Sequence, residues 1–183
     1  AGMMADLIDG LEINFPSLTS SHKAKVQRTL NDYVEVANPL DYHTFIWGDR
    51  KRTSECFRAM ISDQFAATML LLDWPKTDQS EQKDWDSTLL ALSDALSGTG
   101  EKAIVLASMA DCMPKRIIEK CLSFGIAPMV GLDVCLKALN HSYKIGRAFS
   151  RNTSPELKIL SINSERKTKA QLTEYEGKLL LNK

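Results

Sequence analysis

The sequence predicts a doubly wound α/β domain, a parallel β-sheet with helices on both faces, and three observations carry that prediction. Ala67 to Asp73 is apolar at almost every position, and Lys102 to Ser108 repeats the pattern. A strand covered on both faces by helices reads this way. Between these runs Trp85, Leu89, Leu92 and Leu96 recur at i, i+4, i+7 and i+11, the buried stripe of an amphipathic helix. Apolar strands joined by helix-length crossovers pair in parallel.

Taken in order, Met3, Met4, Leu7, Ile8 and Leu11 follow helical spacing from Gly2, and Gly10 marks the exit into a short strand, Ile13-Asn14-Phe15, closed by Pro16. Ser17 to Ser21 supplies capping residues for a helix with Val26, Leu30, Tyr33 and Val34 on one face. A short β-branched run, Val34-Glu35-Val36, leads into Asn38-Pro39-Leu40-Asp41 and the aromatic stretch Tyr42 to Trp47. A helix from about Arg50 to Gln64 buries Phe57, Met60 and Ile61, and the first apolar strand follows. Ser97-Gly98-Thr99-Gly100 stops the Trp85 helix. After the second apolar strand, Pro114 suits the first turn of a helix carrying Ile117, Ile118, Cys121 and Leu122. Ile126 to Val130 is a third apolar strand, and Leu132 to about Phe149 a helix with Leu136, Leu139 and Tyr143 on one side. Met3, Met4, Met60 and Met69 fall at core spacings and are expected to pack.

Beyond Phe149 the periodicity stops. Residues 150–171 read as a linker in which Leu157 to Ile162 is a candidate strand, and 172–183 as one helix with a Thr173–Glu176 capping box. That helix has Tyr175, Leu179 and Leu180 to bury, which predicts contact with another chain or with the domain's own surface. The chain opens at Gly2-Met3-Met4 already in helical pattern with no strand before it, so a piece of a longer protein, its first strand missing, is expected.

The 183 residues are 44% hydrophobic, which excludes a disordered chain. Twenty-three basic and 23 acidic residues cancel, and no strip of Lys or Arg is dense enough to track a phosphate backbone, so no nucleic-acid partner is expected. The apolar runs fall short of the roughly 20 residues of a membrane helix, so no membrane partner is expected. Cys56, Cys112, Cys121 and Cys135 lack C-x-x-C spacing and read as ordinary thiols of a reducing compartment. With no signal-peptide pattern at the opening, a cytoplasmic location is expected.

In a doubly wound sheet ligands gather outside the carboxyl ends of the strands. Those ends are Asn38 to Asp41, Asp73-Trp74-Pro75, Ser108 to Asp111 and Gly131, so a site should draw on this set. Pro39 fixes its own φ and biases Asn38 toward extended backbone, which would hold the Asn38 and Asp41 side chains at defined places on the rim. Taken alone, Asn38 to Asp41 also fits an ordinary turn, and Asp73 an ordinary loop cap. Of the three histidines, His22 and His141 lie on polar helix segments and read as surface residues, while His43 is nearer the rim.

The order of Asp6 in an opening helix, Pro16, a helix, Asn38-Pro39-Leu40-Asp41, a further helix and a buried strand resembles the succinyl-CoA-ligase-like flavodoxin domain of NDP-forming acyl-CoA synthetases. Phe124-Gly125-Ile126-Ala127-Pro128 with the helix after it is similar to the same family's Gly-Ile-Pro strand and Ala-Leu helix. Leu172-Thr173-Glu174-Tyr175-Glu176-Gly177-Lys178-Leu179-Leu180 resembles the opening of its ATP-grasp domain. The resemblance implies a flavodoxin-like domain over 1–149, a linker over 150–171 and the first helix of an ATP-grasp domain over 172–183.

It further implies an ADP-forming acid-CoA ligase that passes through an acyl phosphate and a phosphorylated histidine. No catalytic residue is expected within this chain, and the phosphohistidine is expected in a preceding domain. Gly2, Met3, Asn38, Pro39, Asp41, Asp73 and Trp74 are the residues expected to bind substrate or phosphate, with Gly2 and Met3 contributing a helix N-terminus. The chain alone is expected to hold no cofactor or metal; CoA, ATP or ADP and magnesium are expected of the complete enzyme. The expected partners are its CoA-binding and ATP-grasp domains, a carboxylic acid or acyl-CoA substrate, and a second copy in a homo-oligomer. Two rival readings are a receiver-like domain phosphorylated on Asp73, with Ser108 at the end of the next strand, and a non-catalytic flavodoxin-like interaction module.

Overall fold

The computed structural model describes residues 2–62, 64–78, 81–151 and 173–181. It divides into two units, Ala1–Phe149 and Ser150–Lys183.

The first unit is an α/β sandwich built on three parallel strands, β1 (Thr68–Leu71), β2 (Ala103–Ala107) and β3 (Ala127–Val130), in the order β1-β2-β3. Thr68 stands opposite Ala103 and Leu71 opposite Leu106; Ile104 stands opposite Ala127 and Ala107 opposite Val130. The central strand is buried at all five positions, which explains its unbroken apolar sequence. Because the pleat alternates, Ala103, Val105 and Ala107 face one layer and Ile104 and Leu106 the other. The first layer comprises α4 (Arg50–Met60), α5 (Lys83–Leu96) and α6 (Lys115–Ser123), which bring Phe57, Leu89, Leu92, Ile117 and Cys121 against the sheet. On the other face lie α1 (Gly2–Leu7) and α7 (Leu132–Phe149), through Met4, Cys135 and Leu136. Full burial of such side chains contributes about 1.5–3 kcal/mol each. The doubly wound, flavodoxin-like arrangement is therefore the fold of this unit.

Ahead of the sheet, α2 (Ser20–Gln27), the short α3 (His43–Ile46) and α4 enclose a separate cluster of Leu18, Val26, Leu30, Val36, Ile46, Cys56 and Ala59. Thr19 caps α2 by accepting from the His22 amide at 3.2 Å, and Asp49 caps α4 by accepting from Arg52 at 3.0 Å. Two expected strands are absent. Ile13 and Phe15 pack against the α7 side of the sheet with no ladder partner among the described residues; the Glu12 amide donates to Asn140 Oδ1 at 2.9 Å, and its carboxylate pairs with Lys144 and Arg147 of α7. Side chains of α7 thus take the place of a neighbouring strand. Val34 closes a turn onto the Asn31 carbonyl and Val36 is buried among the α2 and α4 side chains, so that β-branched run forms an extended loop instead. The opening helix ends at Leu7 and the helix after Trp47 at Met60, each shorter than expected. Met3 is also a correction: it is 69% exposed, while Met4 takes the buried position.

In the second unit α8 (Glu174–Leu181) carries the expected capping box: the Thr173 amide donates to Glu176 Oε2 at 2.8 Å and the Glu176 amide to Thr173 Oγ1 at 3.3 Å. Tyr175, Leu179 and Leu180 are exposed on it. Residues 152–171 of the expected linker, with the Leu157 to Ile162 strand inside them, lie outside the described residues.

Candidate functional site

Parallel pairing sends the carboxyl ends of β1, β2 and β3 to one border, where Asp73, Ser108 and Gly131 follow the strands. Asp73 reaches across to the neighbouring strand's exit. Its Oδ1 accepts from the Ser108 amide at 2.7 Å and its Oδ2 from the Ser108 hydroxyl at 2.7 Å. Gly131 has φ +87, a left-handed conformation that favours glycine, and donates its amide to the Ala107 carbonyl at 2.9 Å. Its own carbonyl accepts from Cys135 and so starts α7.

Trp74 turns inward, with 1% of its surface exposed. Its amide donates to the Cys112 carbonyl at 2.9 Å, fastening the loop after β1 to the loop after β2. The indole Nε1 donates to Asp86 Oδ1 at 3.0 Å, and Arg116 Nη1 donates to Asp86 Oδ2 at 2.7 Å. The other branch of Arg116 donates to Gln82 Oε1. Gln82, buried at the start of α5, donates through Nε2 to the Pro75 carbonyl at 2.8 Å and the Thr77 carbonyl at 3.0 Å. Outside this closed network Lys76 forms an ion pair with Asp111. That contact raises the Lys76 ammonium above its ordinary pKa and lowers the Asp111 carboxyl below the usual range, each chiefly through the shared hydrogen bond.

The Asn38 to Asp41 loop lies in different surroundings. Asn38 Nδ2 donates to the Pro16 carbonyl at 3.0 Å, the Asn38–Pro39 peptide is cis, and Leu40 packs against the α2 and α4 cluster. Asp41 is exposed, and its neighbour Tyr42 packs edge-on against Phe57 at 4.8 Å. Burial, with smaller contributions from Cys56 and Asp41, drives the Tyr42 phenol above its ordinary pKa. Gly2 and Met3 begin the six-residue α1, which packs on α7. The border therefore gathers Asp73 and Trp74 with Ser108, whereas Asn38 is fastened to Pro16.

Lys76, Gln82, Asp86 and Arg116 escaped the sequence reading. The available signal was polar residues at the ends of elements flanking the border: Gln82 and Asp86 at the opening of α5, and Arg116 in the first turn of α6. His22 also departs from expectation, since its ring stacks on Phe65 at 5.7 Å and its Nε2 lies 3.0 Å from the Ala59 carbonyl. His141 is exposed, as expected, and the His43 side chain lies outside the described residues. An open hollow of about 390 Å³ lies between α4 and α5, lined by Arg50, Lys51, Ser54, Glu55 and Asp94. It shares no residue with the border, and Arg50 is already bound to Asp94 at 2.7 and 2.8 Å.

Both Asp73 oxygens accept from Ser108, Asp111 is held by Lys76, and among the described residues no group of three His, Cys, Asp or Glu converges. No protein-family model matches the chain, and no curated protein matches it.

Proposed function

We propose that this chain is the flavodoxin-like domain of an ADP-forming acid-CoA ligase, handling an acyl phosphate or phosphohistidine between a CoA site and a nucleotide site. Support comes from the order of its motifs, Asn38 to Asp41 before the sheet and the Thr173 to Leu180 segment after it, together with the parallel sheet between them. The observation that carries the reading is the carboxyl border, where the Asp73–Ser108 pair, the Gly131 turn and the Lys76 ammonium share one edge. A phosphoryl group in transit needs a positive charge and donors, and the border offers the Lys76 ammonium and the Ser108 hydroxyl, the latter by exchanging Asp73 for the ligand.

In the complete enzyme an acid, CoA and ATP become an acyl-CoA, ADP and phosphate. Within this reaction the border residues orient the acyl phosphate, and Asn38, Pro39 and Asp41 join them by exchanging the Asn38–Pro16 contact for substrate; the nucleotide and its magnesium belong to the ATP-grasp domain. The test joins the chain to its CoA-binding and ATP-grasp domains and follows ADP release and acyl-CoA formation across a panel of carboxylic acids. Acid-dependent ADP release that Asp73→Asn lowers at least ten-fold is expected. ADP release with no dependence on acid or CoA would overturn the reading.

The contact between Asp73 and Ser108 also favours a second reading, a receiver-like phospho-acceptor. A hydroxylamine-sensitive phosphoaspartate formed from acetyl phosphate and magnesium would establish it; an unmodified Asp73 removes it.

A further inference from the structure

We propose that Lys76 captures the phosphoryl anion at this border and that Asp111 holds its place until the anion arrives; the proposal rests on the ligase reading and adds the residue that supplies its positive charge.

Lys76 stands at a place the fold fixes from within. The carbonyls on either side of it, Pro75 and Thr77, both accept from the single buried amide of Gln82. Gln82 is gripped by Arg116, Arg116 by Asp86, and Asp86 by the buried Trp74 indole. Withdrawing charged and amide groups from water is costly unless each is paired. Here each is paired, and the chain of contacts ends on the backbone flanking one exposed lysine. A solvated surface loop needs no such anchoring, whereas a side chain that must meet a ligand at a set position does.

The ammonium itself is already occupied by an anion. Asp111, from the loop after β2, places a carboxylate on Lys76, and the two side chains are 68% and 67% exposed. An exposed ion pair contributes little and is screened by salt, so a competing anion displaces it at small cost. A doubly charged phosphoryl group offers more acceptor oxygens and more charge than one carboxylate. The neighbouring Arg116 is less available, because both its branches are engaged.

The experiment titrates acetyl phosphate into the 183-residue chain and follows backbone amide shifts at Ser108 and Asp111 by NMR. Lys76→Met is expected to weaken binding about five-fold or more, Lys76→Arg to retain most of it, and Asp111→Asn to tighten it several-fold by removing the resident competitor. Both positions are exposed, so thermal melting should confirm that all three variants fold as the parent does. Unchanged affinity in Lys76→Met, or weaker binding in Asp111→Asn, overturns the role of Lys76 while leaving the ligase reading intact. No shift at the border in either the parent chain or Asp111→Asn overturns both.

Discussion

Two loops of the first unit look alike in sequence, each a proline beside carboxylates, yet the molecule uses them differently. At Asn38 to Asp41 the amide side chain is spent on the Pro16 carbonyl and Leu40 is drawn into an apolar cluster. At Asp73 to Lys76 the buried contacts are made by Trp74 and the loop backbone, which leaves Lys76 in water with Asp111 as its exposed partner among the described residues. The first loop is held by its side chains, and the second is held so that one side chain stays available. Turn-forming residues thus mark where a loop is ordered, while the fate of each polar atom decides which loop can meet a ligand.

The largest expected effect comes from removing the anchor of the second loop. Trp74→Ala deletes a fully buried indole and one of the two donors to Asp86, and should cost about 3–5 kcal/mol of unfolding free energy in urea titrations. A loss below about 1 kcal/mol would mean that the loop is not held from beneath.

Next is Arg116→Met, which takes the cation from Asp86 and the donor from Gln82 Oε1, leaving Asp86 the Trp74 indole and Gln82 its two loop carbonyls. A cost of about 1–3 kcal/mol is expected, with faster amide hydrogen exchange at Lys76 and Thr77 than in the parent chain. Exchange unchanged at those two amides would separate Arg116 from the positioning of Lys76.

Asn38→Ala removes one hydrogen bond at a partly exposed site and should cost about 0.5–1.5 kcal/mol. In the complete ligase it should also slow acyl phosphate formation, trapped as the hydroxamate, by more than that stability change explains. An unchanged rate would take the first loop out of the site and leave the border standing.

Cysteine chemistry gives the smallest and most local comparison. Burial raises the Cys56 and Cys135 thiols and pushes Cys121 up to about 11, so at pH 8 these three stay protonated and inert. Half-buried Cys112, beside the border, should be the one labelled by iodoacetamide in the native chain. Cys121 should react only as the pH approaches its raised value. Early labelling of Cys56 would show that the cluster beneath the first loop opens.

Much of the sandwich was legible because its signals are periodic and local. Leu89 and Leu92 lie on one helical face, and Ala103 to Ala107 is apolar because two layers cover it. The two false strands had the composition of strands without their pairing: whether Ile13 meets an edge or a helix depends on Asn140, Lys144 and Arg147, more than 120 residues away in the chain. The site divides the same way. Asp73 was legible because the end of a buried strand predicts its border, whereas Gln82, Asp86 and Arg116 converge only when the fold brings the openings of α5 and α6 together.

The measurement that bears most directly on the border as the phosphoryl site is the map of amide shifts over the whole chain on adding acetyl phosphate. Shifts centred on Asp73, Lys76, Ser108 and Gly131, saturating together and suppressed by salt, are expected. Shifts confined to Asn38 to Asp41 and α2, with the strand ends silent, would contradict it.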